Sequence, residues 1–172
     1  MLLRRIILGC VAAVMAAGCW IDNPDTSGED PVQVGDPVPA FSVTLQDGSV
    51  FDSRNSASWP AVIVFFHTTC PDCQITLPLI QQLYDSYQAD AVRFVCISRA
   101  EGPGQVQSYW DLNRLSIPWS AQLDRSVYSL FALSRIPRVY VVDRRGTVRA
   151  IFADNPCPTY EELSASLEAV LE

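Results

Sequence analysis

Two cysteines separated by two residues, Cys70 and Cys73, stand at the end of an apolar run and close to the chain's single histidine, His67. The stretch reads VFFHTTCPDC from 64 to 73. Thiols at this spacing can form a redox couple, supply half of a metal site with His67 as a third ligand, or sit inert in a core. A strand that empties into a helix here leaves backbone N–H groups unpaired, and those donors together with the helix dipole stabilise a thiolate on Cys70. Cys73, one turn further in, falls on the same face and deeper, within reach of the first sulfur. Pro71 suits the first helical turn, where its missing donor costs nothing. A reactive first thiol and a protected second one are what thiol–disulfide exchange needs: attack through a mixed disulfide, then release by the neighbour.

The alternatives are weaker on the sequence. A metal site wants a second pair, and Cys96 and Cys157 sit in different contexts, the first inside the apolar run Phe94-Val95-Cys96-Ile97 and the second between two prolines. Cys96 reads as a small buried hydrophobe and Cys157 as the more exposed thiol, with no disulfide expected between them. In an oxidising compartment a close cysteine pair rarely stays idle.

The elements that must hold this pair follow from periodicity. Residues 41–45 alternate apolar and polar before the turn Asp47-Gly48, and Val50-Phe51 resumes after it, a hairpin pattern. Residues 61–66 are apolar and β-branched throughout, which suits a central strand covered on both faces. Residues 71–88 carry a helical apolar stripe interrupted by Pro78, and residues 92–97 form a second buried strand. Helices are expected over 106–115 and 125–133, and strands over 139–142 and 148–152 around the turn 143–146. A final helix over 160–171 opens with Thr159 as cap and Glu162 three residues on. This order predicts one α/β domain: a central mixed β-sheet with helices on both faces and an N-terminal β-hairpin extension.

With those elements in place the segment resembles the thioredoxin fold, and within it the membrane-tethered thiol–disulfide oxidoreductases of the TlpA and ResA kind, over roughly residues 38–171. Cys70-Pro71-Asp72-Cys73 matches the active-site position. Pro78 falls where that family kinks its first helix, and Arg135-Ile136-Pro137 matches the loop whose cis-proline faces the cysteines. The resemblance implies Cys70 as attacking thiol, Cys73 as resolving thiol and Pro137 beside them. Ile136 would offer its backbone to substrate, with Thr69, Pro71 and Asp72 lining the approach. It implies no cofactor or resident metal, protein thiols or disulfides as partners, a membrane electron donor, and a monomer acting as a reductase. On residues alone, a proline ahead of an edge-like strand is equally a strand start; if cis, it turns neighbouring carbonyls toward a passing chain. His67, as a cation, would stabilise the Cys70 thiolate.

Two departures from thioredoxin itself stand out. Thr69 replaces a tryptophan before the first cysteine, and Val64 occupies the place of a buried acidic residue, which removes an expected proton relay. Trp59, Trp110 and Trp119 read as packing, with Trp110 or Trp119 at the substrate rim. Peroxiredoxins share the fold, but their Pro-x-x-x-Thr-x-x-Cys pattern would need proline and threonine where Ile63 and His67 stand. Copper chaperones of the Sco type place three residues between their cysteines. A thiol peroxidase or a metal-binding module using Cys70, Cys73 and His67 are therefore the rival readings.

The beginning of the chain belongs to export. Met1-Leu2-Leu3-Arg4-Arg5 is followed by a short apolar run ending Ala16-Ala17-Gly18-Cys19, the outline of a signal peptide over 1–18. Cys19 resembles the lipidated cysteine of bacterial lipoproteins and fits better than Cys10, which leaves almost no apolar run ahead of it. Residues 19–37 are acidic and rich in Pro and Gly, a flexible tether, and the domain is expected over 38–172. All twelve basic residues are arginine, against 19 acidic ones, for a formal net charge of −7. That balance argues against nucleic acid as a partner and leaves membrane contact to the lipid on Cys19. The expected location is the bacterial cell envelope, as a membrane-anchored lipoprotein facing the periplasm or the surface.

Overall fold

In the computed structural model, residues 29–90 and 92–172 are described. The expected signal peptide, Cys10, Cys19 and most of the expected acidic tether lie outside them. Among the described residues, no helix is long and apolar enough to cross a membrane.

Strands β1 (Ser42–Thr44) and β2 (Val50–Asp52) pair antiparallel as the expected hairpin, placing Val43 opposite Phe51, both buried. Strand β3 (Ala61–Phe66) is buried at every residue and runs through the middle of a five-stranded sheet, as its unbroken apolar run requires. On one side it pairs parallel with β4 (Arg93–Ser98), which carries the short edge strand β5 (Trp119–Ser120). On the other it pairs antiparallel with β6 (Arg138–Val142), which pairs antiparallel with β7 (Val148–Phe152). The order is β5-β4-β3-β6-β7, a mixed sheet with helices on both faces. The fold is thioredoxin-like with an N-terminal hairpin.

Helix α1 (Pro71–Tyr87) buries Cys73, Leu77, Ile80 and Leu83 and holds Pro78 inside it. Helix α2 (Pro103–Asn113) begins on a proline and ends at Arg114, whose φ of 53° turns the chain out of the helix. Helix α3 (Tyr160–Leu171) packs on α1 and opens with the expected capping box: Thr159 accepts from the Glu162 backbone, and Glu162 accepts from the Thr159 backbone. Aromatic side chains fill the space behind β3. Phe65 meets Tyr128, Phe131 and Tyr140 on one face, while Phe66 meets Trp110.

Several expectations are corrected. The helix expected over 125–133 is a single 3-10 turn, Tyr128–Leu130, since Tyr128 and Phe131 must both reach the Phe65 cluster before the chain turns sharply toward β6. β6 is an interior strand, flanked by β3 and β7, so Pro137 precedes no edge. Trp110 and Trp119 are buried and neither lines the cleft that holds Cys70, whereas Trp59, read as packing, is 45% exposed. The packed chain also starts earlier than residue 38. Val32 is 3% exposed, and Pro37 bridges to Thr147. Asp30 forms an ion pair with Arg138 at 2.7 Å while its other oxygen accepts from the Leu133 backbone. The tether composition misled because its few apolar and acidic residues find partners on the sheet edge and the 133–138 loop.

Candidate active site

The end of β3 and the start of α1 place the cysteine pair. Cys70 is the N-cap of α1: its backbone is extended, and its sulfur accepts from the Cys73 backbone N–H at 3.4 Å. The first turn thereby directs a backbone donor at the Cys70 sulfur. Cys70 is half-buried and Cys73 fully buried, the asymmetry expected of an attacking and a resolving thiol. Burial, with the neighbouring Cys70 sulfur adding to it, pushes the Cys73 thiol well above its ordinary value, so that it keeps its proton.

The 135–137 loop closes on this pair from across the sheet. The Ile136–Pro137 peptide is cis, and the Cys70 thiol points at the Ile136 carbonyl at 3.5 Å. Arg135 just before it has φ of 69°, and its carbonyl accepts from the Tyr128 hydroxyl at 2.7 Å. Pro137 is buried, Pro71 and Thr69 are exposed, and Asp72 is half-buried on the first turn of α1. Thus Cys70, Cys73, Ile136 and Pro137 are brought together, with Thr69 and Pro71 at the mouth of one cleft of about 620 Å³.

His67 lines the same cleft as Cys70. Its Nδ1 is turned toward Thr69, whose backbone N–H lies at 3.3 Å and hydroxyl at 3.0 Å, and stands 3.7 Å from the carboxylate of Glu101. Among the described residues no three His, Cys, Asp or Glu side chains are grouped closely enough to hold a metal ion.

Glu101 is the site residue that sequence reasoning missed. It follows β4, is 5% exposed, and accepts both the backbone N–H of Thr68, at 2.9 Å, and the Thr68 hydroxyl. Thus a buried carboxylate comes not from position 64 but from the loop after β4, beneath the 67–69 turn rather than beside Cys73. The opposite side of that turn is held by Gln74, which donates to the Thr68 carbonyl at 2.8 Å. The one available signal was a lone glutamate at a strand end ahead of Gly102-Pro103, which contact order hides. Two further cleft arginines, Arg99 and Arg125, were unforeseen, because each comes from a different loop; Arg135 joins them from the 135–137 loop already singled out.

Cys157 lies on the β7–α3 connection and its thiol points at the Asp154 carbonyl at 3.6 Å. Burial raises its pKa, as do the charges of Asp72 and Asp154. Cys96 is buried in β4, and neither is paired with another cysteine.

Comparison with known proteins bears on this geometry. Residues 34–151 match the model of the AhpC/TSA family. Thiol-disulfide oxidoreductase ResA of Bacillus thuringiensis is 22% identical over 152 residues, covering 86% of this chain and 84% of that one. Among solved structures, a thiol:disulfide interchange protein of the thioredoxin family from Chlorobium tepidum superposes with a TM-score of 0.68 at 22% identity, covering 82% of this chain and 99% of that one. The dsbF protein of Mycobacterium tuberculosis, solved in mixed oxidised and reduced forms, superposes with a TM-score of 0.66 at 26% identity, covering 77% and 98%.

Proposed function

The chain belongs to the AhpC/TSA family, and we propose that within it this protein is a thiol–disulfide oxidoreductase acting on protein substrates, with reduction as its direction. The observation that carries the reading is the seat of Cys70: a half-buried sulfur at a helix N-terminus, one turn from a buried partner thiol, facing the Ile136 carbonyl. The Cys70 thiolate attacks a substrate disulfide, forming a mixed disulfide and releasing one substrate thiolate. Cys73 then gives up its proton and attacks the Cys70 sulfur, releasing the second thiolate and leaving a Cys70–Cys73 disulfide. Two electrons pass to the substrate, and a dithiol donor at the membrane restores the protein.

Ile136 offers backbone to an extended substrate chain and Pro137 keeps a donor out of that surface. Thr69, Pro71 and Asp72 border the approach, and His67 tunes the turn through Thr69 and Glu101. The names borne by relatives, thiol-disulfide oxidoreductase and thiol:disulfide interchange protein, support this class. The location goes with it: export by residues 1–18, lipid on Cys19, and work in the cell envelope as a monomer.

The test is the equilibrium reduction potential of the pair against glutathione or dithiothreitol. A value near about −270 mV is expected for a reductase, and one above about −150 mV would make it an oxidant. Absence of any intramolecular disulfide would remove the reading. Peroxide oxidation of Cys70 far faster than that of a free thiol would put a thiol peroxidase in its place.

A further inference from the structure

The Cys70 cleft carries a charge opposite to that of the chain as a whole. The protein has a formal net charge of −7, yet the cleft walls present Arg99, Arg125 and Arg135 and no carboxylate. The guanidinium of Arg125 is exposed and has no ion-pair partner among the described residues. Arg99 lies over the Tyr128 ring, 5.2 Å from its centroid, which orients the charge without neutralising it. Arg135 reaches Asp154 at 3.5 Å but is 58% exposed and lines the cleft, so that one pair leaves donors of its guanidinium open to solvent. The acidic groups nearby are otherwise engaged or set aside. Glu101 is buried under Thr68, Asp72 is half-buried on α1, Asp124 next to Arg125 accepts from the Ser126 backbone N–H at 2.8 Å, and Asp154 is the partner of Arg135.

We infer that the cleft selects disulfide substrates whose reacting cysteine is flanked by aspartate or glutamate in an extended segment. This rests on the thiol–disulfide reading above and names its substrate class. The guanidinium fork pairs with a carboxylate through two parallel hydrogen bonds, and three forks around one sulfur reward carboxylates on either side of the target cysteine. At about 0.1 M salt the screening length is about 10 Å, so a docked segment feels the cleft arginines while the acidic remainder of the surface is largely screened. Exchange itself is unaltered. The Cys70–substrate bond forms as the substrate S–S bond breaks, Cys73 completes the transfer, and the substrate gains the two electrons the protein loses.

The test uses reduced protein in single turnover with two peptides that differ only in having glutamate or lysine beside a disulfide-bonded cysteine, and with uncharged 2-hydroxyethyl disulfide. At low salt the glutamate peptide is expected to react about tenfold faster than the lysine peptide, and the ratio to fall toward unity at about 0.5 M salt. Arg125→Gln, at an exposed site with no ion pair to lose, is expected to cut that ratio at least about threefold. Equal rates, a faster lysine peptide, or reaction of the neutral disulfide alone would overturn the inference and leave thiol exchange standing. Failure of all three disulfides to react would overturn the thiol–disulfide reading and this inference with it.

Discussion

Glu101 grips Thr68 across 33 residues of sequence, taking its backbone N–H at 2.9 Å and its hydroxyl as well. Hydrogen bonds to a buried charged acceptor contribute about 1.5–3 kcal/mol each, and losing the acceptor strands a buried donor. Glu101→Ala is therefore expected to destabilise the fold by about 3 kcal/mol, read by urea unfolding. Glu101→Gln, which keeps one acceptor oxygen, should recover part of that loss. An alanine variant as stable as the parent would show that the grip contributes nothing.

The sulfur seats predict a trap. Cys73→Ser leaves Cys70 capped on α1 but without its resolving partner, so mixed disulfides with a model substrate should accumulate and be visible by mass. Cys70→Ser should form none, because Cys73 is fully buried and keeps its proton. Adducts on Cys73 in that variant would reverse the assignment of attacker and resolver.

Alkaline stability follows from the buried thiols. Burial raises both Cys73 and Cys96 above the ordinary value of 9.0. As pH climbs past that value the unfolded chain sheds these protons while the folded chain keeps them. The folded state then binds more protons, so stability that is full below pH 9 declines above it. Each thiol contributes a slope approaching about 1.4 kcal/mol per pH unit. Urea unfolding of the reduced protein between pH 8 and 10 should show the decline, to which Cys157 and the buried tyrosines add, and Cys96→Val should remove about a third of it. A flat profile would contradict the burial.

The early start of the packed chain is testable by length. A chain beginning at Val38 loses the buried Val32 side chain, worth about 1.5–3 kcal/mol, and the Asp30 partner of Arg138. Arg138 is only 12% exposed, so leaving it unpaired adds to the cost. Relative to a chain beginning at Glu29, a loss of about 3 kcal/mol or more is expected in thermal or urea unfolding. Equal stability would restore the tether reading for these residues.

What the sequence revealed and what it hid divide by the range of the interactions. β3 announced itself because every one of its side chains is buried, and α3 because its capping box is local. The Cys70–Cys73 seat was legible for the same reason, being one strand end and one helical turn. The 125–133 segment has helix-like spacing, but tertiary demands from Phe65 and Tyr140 shortened it to one turn. Glu101, Asp30 and the cleft arginines reach their partners from other loops, and no window of sequence contains both ends of such a contact. Absence of an acid at Val64 was visible; the carboxylate that the loop after β4 places under the 67–69 turn was not.

The Asp30 clamp has a further consequence for where the chemistry happens. Asp30 is fastened to Leu133 and Arg138, on either side of the Arg135–Pro137 loop that walls the cleft. Were Cys19 to carry the proposed lipid, the ten intervening residues, 20–29, would reach at most about 35 Å when fully drawn out. Asp30 sits beside the cleft, so such a leash would keep the reactive sulfur in a shallow layer over the bilayer. Substrates in that layer would meet a high local concentration of Cys70, and proteins diffusing beyond it almost none.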